Sequence, residues 1–323
     1  MLSRRLRTIS IFVIGFAAFV LFLPLILPVA LVRDGIMKTG WSATRFVGVV
    51  LFYGLMDSVV LVVVLGLWCA RPVVSAARYA AWHRAAQTWW ACWLLRFLLF
   101  SYRMRLEVEG ADVAKRGPYI MLMRHVSMGD TLLPIHCVQA PFSMRLRYVL
   151  KTELMMEPCL DIVGHRLPNA FVSRDSEQPE SERSKVAELA RDLGRFDGVV
   201  LFPEGTRFSP QRRERVIASL DAQGRTERAE VARRLEHVLP VRPGGVMSML
   251  RMQQGVDIVF VAHVGFEGAT RLPDLLSGAL LGRVVKVALW RESTAHLGDE
   301  GEVRAWLDTQ WERVDQWVAE NRP

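Results

Sequence analysis

Two long uncharged stretches dominate the first quarter of the chain. Residues 9–32 carry no charged side chain, and a second apolar run covers residues 46–70 with one break at Asp57. At about 1.5 Å of rise per helical residue, either run covers a bilayer core of roughly 30 Å. Residues 1–75 are therefore expected to form two transmembrane helices. A cleavable leader is the competing reading of the first run. It is longer than a usual leader core, and no small-x-small site precedes Arg33, so an uncleaved anchor is expected. Arg4, Arg5 and Arg7 precede the pair, and Arg71, Arg78 and Arg84 follow it. By the positive-inside rule both outer ends face the cytoplasm, although the link with Arg33, Asp34 and Lys38 is also weakly basic. A lone acid in such a run is either functional or a polar helix–helix contact. The contact is the expectation for Asp57.

The pattern then changes twice. Residues 76–103 mix Trp82, Trp89, Trp90, Trp93 and Phe97 with Arg84, Arg96 and Arg103. Arg96 interrupts the apolar stretch, which favours an aromatic and basic helix lying in the headgroup layer over a third span. A core helix of the following domain is the alternative. From residue 104 to 323, short apolar runs alternate with amphipathic ones. Strands are expected at 105–109, 119–123, 148–150, 170–172 and 199–202, and closing strands at 256–261 and 284–289. Helices are expected at 184–193 and 302–320, the latter with Trp306, Trp311, Val314 and Trp317 on one face. Residues 209–237 are densely charged and read as a solvated helical insertion. This order predicts an α/β domain with a largely parallel sheet.

Charge and cysteine usage narrow the class. Forty-one Lys and Arg against 33 acids leave a net charge of +8, and hydrophobic residues make up 51% of the chain. That sign favours an anionic partner, and with ten tryptophans and two apolar runs a lipid surface fits best. The Arg212, Arg213 and Arg215 cluster lacks the interleaved aromatics of a nucleic-acid site. Cys69, Cys92, Cys137 and Cys159 form no CxxC pair, so no zinc site is expected and the thiols are read as free in a reducing compartment.

The candidate chemistry lies at two strand ends. The run 119–123 is followed by Arg124-His125-Val126-Ser127-Met128-Gly129-Asp130, which holds a base and a possible orienting acid five residues apart. The run 199–202 is followed by Pro203-Glu204-Gly205-Thr206-Arg207. In open α/β sheets chemistry gathers at the carboxyl ends of strands, where both segments would lie. A histidine supplies a general base near neutral pH, and Asp130 can fix its tautomer. Ser127 is the only hydroxyl inside the first motif. On a helix it would point away from His125, so His125 is expected to activate a substrate group rather than Ser127. The planar fork of Arg207 suits a phosphate, and Gly205 lets one approach the backbone. Glu204 is expected to hold Arg207 or accept from a substrate hydroxyl. Metal binding by His125, Asp130 and Glu204 lacks the second histidine at helical spacing that such a site wants. His136, His165, His237 and His263 stand in no motif and are read as structural.

With these residues the sequence resembles the glycerolipid acyltransferase family, the 1-acylglycerol-3-phosphate acyltransferases and their relatives. His125 and Asp130 match that family's His-x4-Asp, and residues 202–207 match its Phe-Pro-Glu-Gly-Thr-Arg without change. An intermediate Phe-x-x-Arg is met by Phe171 and Arg174, with Pro168 where the family has glycine. A late block around a proline is met only loosely at Val238-Leu239-Pro240. The charged insertion is similar to that of the lysocardiolipin and lysophosphatidylinositol acyltransferase branch. The resemblance implies a glycerol-3-phosphate acyltransferase-like mixed sheet flanked by helices. It implies transfer of a fatty acyl group from acyl-CoA or acyl carrier protein to a lysophospholipid such as lysophosphatidic acid, with no cofactor or metal. The site residues it implies are His125 and Asp130 for catalysis, and Glu204, Gly205, Thr206, Arg207 and Arg174 for substrate. A transacylase that draws its acyl group from a phospholipid, and a lipid-binding protein with a dead site, are the rival readings. The short chain, its Arg, Ala and Val bias and the lack of organelle signals point to a bacterial inner membrane, with the catalytic domain on the cytoplasmic face.

Overall fold

The structure, a computed structural model, describes residues 2–173, 178–269 and 272–322. Its chain opens with three long helices, α1 (Leu2–Met37), α2 (Ser42–Ala70) and α3 (Ala76–Ser101). The first two are long and apolar enough to cross a membrane. Asp34 near the end of α1 shapes the turn between them. Its carboxylate accepts from the Ala43 and Thr44 amides at 3.0 and 2.8 Å, and so supplies the amino end of α2 with the acceptors it lacks. Gly54 allows close contact, since a Cβ there would meet the Phe16 ring at 2.2 Å. Asp57 is fully buried and its Oδ1 accepts from the Trp90 indole of α3 at 2.7 Å. The lone acid of the second run thus lies in a helix–helix contact.

The sheet has seven strands: β1 (Arg105–Glu109), β2 (Tyr119–Met123), β3 (Arg145–Lys151), β4 (Ala170–Val172), β5 (Asp197–Leu201), β6 (Asp257–Val264) and β7 (Val284–Glu292). Their order is β1-β7-β6-β2-β5-β3-β4. Neighbours run parallel except β6 and β7, so the α/β fold is mixed, as expected. A π-helical turn (Ile135–Gln139) leads into the one-turn α4 (Ala140–Phe142) ahead of β3. The remaining helices are α5 (Pro158–Arg166), α6 (Pro179–Glu188), α7 (Pro210–Ala222), α8 (Thr226–Arg234), α9 (Pro243–Met252) and α10 (Glu300–Asn321). The charged insertion proves to be the α7 and α8 pair, and α7 has no fully buried residue.

Every residue of β2 is buried, and its two faces serve different cores. Tyr119, Met121 and Met123 join a cluster with Val60 of α2, Leu95 of α3 and Val163 of α5. Ile120 and Leu122 join Val186 of α6, Val246 of α9 and Trp311 of α10. Successive side chains on a strand point to opposite faces, so a strand covered on both sides reads as one unbroken apolar run. The sheet is thus clasped between the amino-terminal helices and the layer of α6, α9 and α10. Ala91 and Leu95 of α3 are wholly inside, whereas Trp82, Trp89 and Trp93 are exposed. The core-helix account therefore describes one face of residues 76–103, and the aromatic and basic account describes the other.

Polar ties bind the helical hairpin to the α/β domain at both ends of α1. Arg4 and Arg5 reach Asp161 of α5 at 2.7 and 3.2 Å. At the other end, Arg33 donates to the Leu276 carbonyl at 3.4 Å, and Leu276 packs against Ala30 and Val47. Within the sheet, Gly198 of β5 stands opposite Tyr119, and a Cβ there would come within 2.4 Å of the ring. Gly198→Ala is expected to destabilise the fold by about 1–3 kcal/mol through overpacking. Thermal unfolding of the variant checks this, and a companion Tyr119→Leu change should recover part of the loss.

Candidate active site

The two motif loops leave adjacent parallel strands, β2 and β5, and meet at their carboxyl ends. His125 lies two residues past β2, with its side chain 11% exposed. Its Nδ1 is 3.1 Å from Asp130 Oδ2. A carboxylate there fixes the proton on Nδ1 and leaves Nε2 with its lone pair. The imidazole also packs on the Phe202 ring, with centroids 4.4 Å apart.

Asp130 is completely buried and heavily solvated by protein. Its Oδ2 also accepts from the Val126 and Ser127 amides at 2.5 and 2.8 Å, and Oδ1 accepts from Ser127 Oγ at 3.0 Å. Burial by itself would raise this carboxyl. The His263 and His125 imidazoles and the Ser127 amide outweigh it and hold it at about 2. It is anionic throughout the range in which a histidine base works. Residues 124–128 are not helical, so the spacing argument used for Ser127 does not apply. Ser127 is kept from His125 for another reason: its hydroxyl donates to Asp130, and the Gly129 amide donates to it at 2.9 Å.

The second loop closes around the first. Glu204 is 1% exposed; its Oε1 accepts from the His125 amide at 2.7 Å and its Oε2 from the Leu239 amide at 2.8 Å. Glu204, expected to hold Arg207 or accept from a substrate hydroxyl, instead shows these two backbone contacts. Both oxygens are engaged by backbone, so the side chain braces three chain segments. Phe208 N donates back to the His125 carbonyl at 2.7 Å, which clamps His125 from both sides. Gly205 takes φ +72°, and the space over its face is filled by the Arg242 side chain rather than left for a phosphate. Thr206 and Arg207 are half-buried in the same turn, and the Arg207 carbonyl accepts from Arg212 at 2.9 Å. Arg174 lies outside the described residues.

Sequence reasoning missed the support beneath this site. Arg124 is 1% exposed and donates to the His263 carbonyl at 2.7 Å, the His237 carbonyl at 3.1 and 3.2 Å, and Glu267 at 2.5 Å. His263 of β6 returns a bond from Nε2 to the Arg124 carbonyl at 3.0 Å, and that same nitrogen lies 3.7 Å from Asp130. His263 is structural, as read, but it packs directly under the motif. A charged residue directly after a wholly apolar strand was the available signal for Arg124.

The acyltransferase family model matches residues 105–264, from β1 to the end of β6. The chain belongs to the glycerolipid acyltransferase family. A curated relative, the lyso-ornithine lipid O-acyltransferase of Rhizobium meliloti (strain 1021), is 29% identical over 131 residues. That match covers 41% of this chain and 38% of the relative, so less than half of either protein is aligned. The crystal structure of the 1-acyl-sn-glycerophosphate acyltransferase PlsC from Thermotoga maritima has a TM-score of 0.57 at 13% identity, covering 85% of this chain and 97% of that one. The likeness to PlsC is one of fold.

In this acyltransferase, burial pushes the Glu204 carboxyl up to about 8, against the Leu239 and His125 amides. A folded-state value raised from 4.5 means that the neutral form favours the fold, and this contribution is lost as pH rises towards 8. Glu204→Gln keeps one acceptor of two and strands one amide, at about 1–3 kcal/mol. The stability gap between wild type and Glu204→Gln, followed by thermal unfolding, should be largest near pH 5 and shrink as the pH is raised to 9.

Proposed function

We propose that this chain transfers a fatty acyl group from a thioester donor, acyl-CoA or acyl carrier protein, to a free hydroxyl of a lysophospholipid. The observation that carries the reading is the His125–Asp130 pair, with its Nδ1 contact of 3.1 Å and a buried anionic carboxylate. His125 Nε2 takes the proton from the acceptor hydroxyl as its oxygen attacks the thioester carbonyl. The tetrahedral intermediate collapses with cleavage of the C–S bond, and the imidazolium returns the proton to the departing thiolate. Asp130 stabilises the imidazolium between these steps. No acyl-enzyme is formed, which agrees with the engagement of the Ser127 hydroxyl by Asp130.

Arg207 receives the anionic headgroup of the acceptor. The apolar hairpin α1 and α2 holds the protein in the membrane, with the site at headgroup height on the cytoplasmic side of a bacterial inner membrane. Support for membrane association comes from the two apolar helices. A second reading of the acceptor follows from the relative that acylates lyso-ornithine lipid. There the headgroup anion is a carboxylate instead of a phosphate.

The test uses full-length protein in lipid nanodiscs, with labelled acyl-CoA or acyl carrier protein and a panel of lysolipids that includes lysophosphatidate and lyso-ornithine lipid. His125→Ala is expected to lose about 10²–10⁴-fold in turnover while remaining membrane-inserted. Wild-type turnover in that variant would overturn the assigned base. Arg207→Lys keeps the charge and loses the fork, so it should raise acceptor KM more than it lowers kcat. Steady-state kinetics in the acceptor separate the two.

A further inference from the structure

The face of Gly205 points to a residue outside the motifs. Arg242 Cδ, Nε and Cζ lie 3.0, 3.1 and 3.3 Å from where a Cβ on Gly205 would stand. The Arg242 stem is thus laid along the turn that carries Arg207. Its backbone is held in the same place, because Arg242 N donates to the Pro203 carbonyl at 2.9 Å. The Leu239 amide bond to Glu204 fixes the approach of this segment. The other arginines pinned to this region spend their guanidinium groups on protein acceptors: Arg124 on two carbonyls and Glu267, and Arg213 on the Leu235 and Arg233 carbonyls. The Arg242 guanidinium has no such acceptor among the described residues, and the residue is exposed. It also immediately precedes α9, whose amino end adds positive potential. A cation ordered against a glycine, open to solvent and without a counter-charge suits an incoming oxyanion.

We propose that Arg242 is a second arginine of an oxyanion-binding site on this turn, beside Arg207. Its ligand is a phosphate or carboxylate of a reactant, from the acceptor headgroup or from the CoA part of the donor. The proposal rests on the acyl-transfer reading and adds a residue to it. Glycine suits the turn twice: its φ of +72° strains any other residue, and a Cβ there would press on the Arg242 stem.

The experiment compares wild type, Arg242→Met and Arg242→Lys as full-length protein in nanodiscs. Methionine keeps an aliphatic stem over Gly205 and removes the charge. Acceptors are lysophosphatidate, lyso-ornithine lipid and the uncharged monoacylglycerol, with acyl-CoA or acyl carrier protein as donor. Arg242→Met is expected to raise KM for one anionic acceptor by about tenfold or more, to leave monoacylglycerol unaffected and to keep kcat within about twofold, with partial recovery in Arg242→Lys. A rise confined to acyl-CoA also supports the site and assigns its ligand to the donor. Unchanged KM for every reactant, or an equal loss on charged and uncharged acceptors at saturating donor, overturns it. Absence of turnover in the wild type would defeat the functional reading separately. The site is then read by thermal unfolding: lysophosphatidate or lyso-ornithine lipid should raise the wild-type Tm above that with monoacylglycerol, or CoA should raise it above that of the unliganded protein, and Arg242→Met should abolish the difference. No such difference in wild type, or its persistence in the variant, overturns the proposal.

Discussion

A single buried carboxyl joins the parts of this site. Glu204 accepts from the amides of His125 and Leu239, residues 79 and 35 positions away in the chain. It thereby ties the end of β2 to the turn after β5 and to the segment leading into α9. Desolvating a carboxyl is costly, and the upward displacement to about 8 records that cost. A carboxyl presents an oxygen on each side of its fork, whereas the amide of Gln presents only one. Here the glutamate of that turn organises backbone.

Asp130 is buried as completely and displaced the other way. It collects two amides, a hydroxyl and an imidazole, whereas Glu204 collects two amides. Enough donors turn burial from a penalty on the anion into a fixed cradle for it. The two carboxyls stand on neighbouring loops, so their environments separate one orienting anion from one neutral brace. That difference gives His125 a defined tautomer and a defined position at once.

The amino-terminal helices belong to the same rigid arrangement. Arg4 and Arg5 meet Asp161, Asp57 meets Trp90, and Leu95 of α3 lies in one core with Met121 and Met123 of β2. The strand that carries His125 is therefore packed directly on the helical layer. Any depth that the hairpin takes in a bilayer is passed to the two motif loops through packed side chains and not through a linker.

Some of this was legible in the residues. Strand β2 is uniformly apolar because both its faces are covered, and the motifs are contiguous, so the two strand ends and the His125–Asp130 pair follow from short-range pattern. The apolar runs of α1 and α2 and the charged α7 and α8 pair are likewise local signals, although α8 buries Ala229 and Ala232. The partners of Glu204 were not legible, because a backbone amide has no side-chain identity for a sequence to display. The same holds for Arg124, whose acceptors are mostly carbonyls, and for His263, which reaches the motif only through the pairing of β6 with β2. Sequence suggested that Gly205 makes room, but only the folded chain decided for what: Arg242 arrives there by a long-range approach that no local spacing encodes. Local periodicity and motif order thus determined the elements and the His125–Asp130 pair. Tertiary structure decided which buried polar atoms meet, since that depends on how distant backbone segments pack.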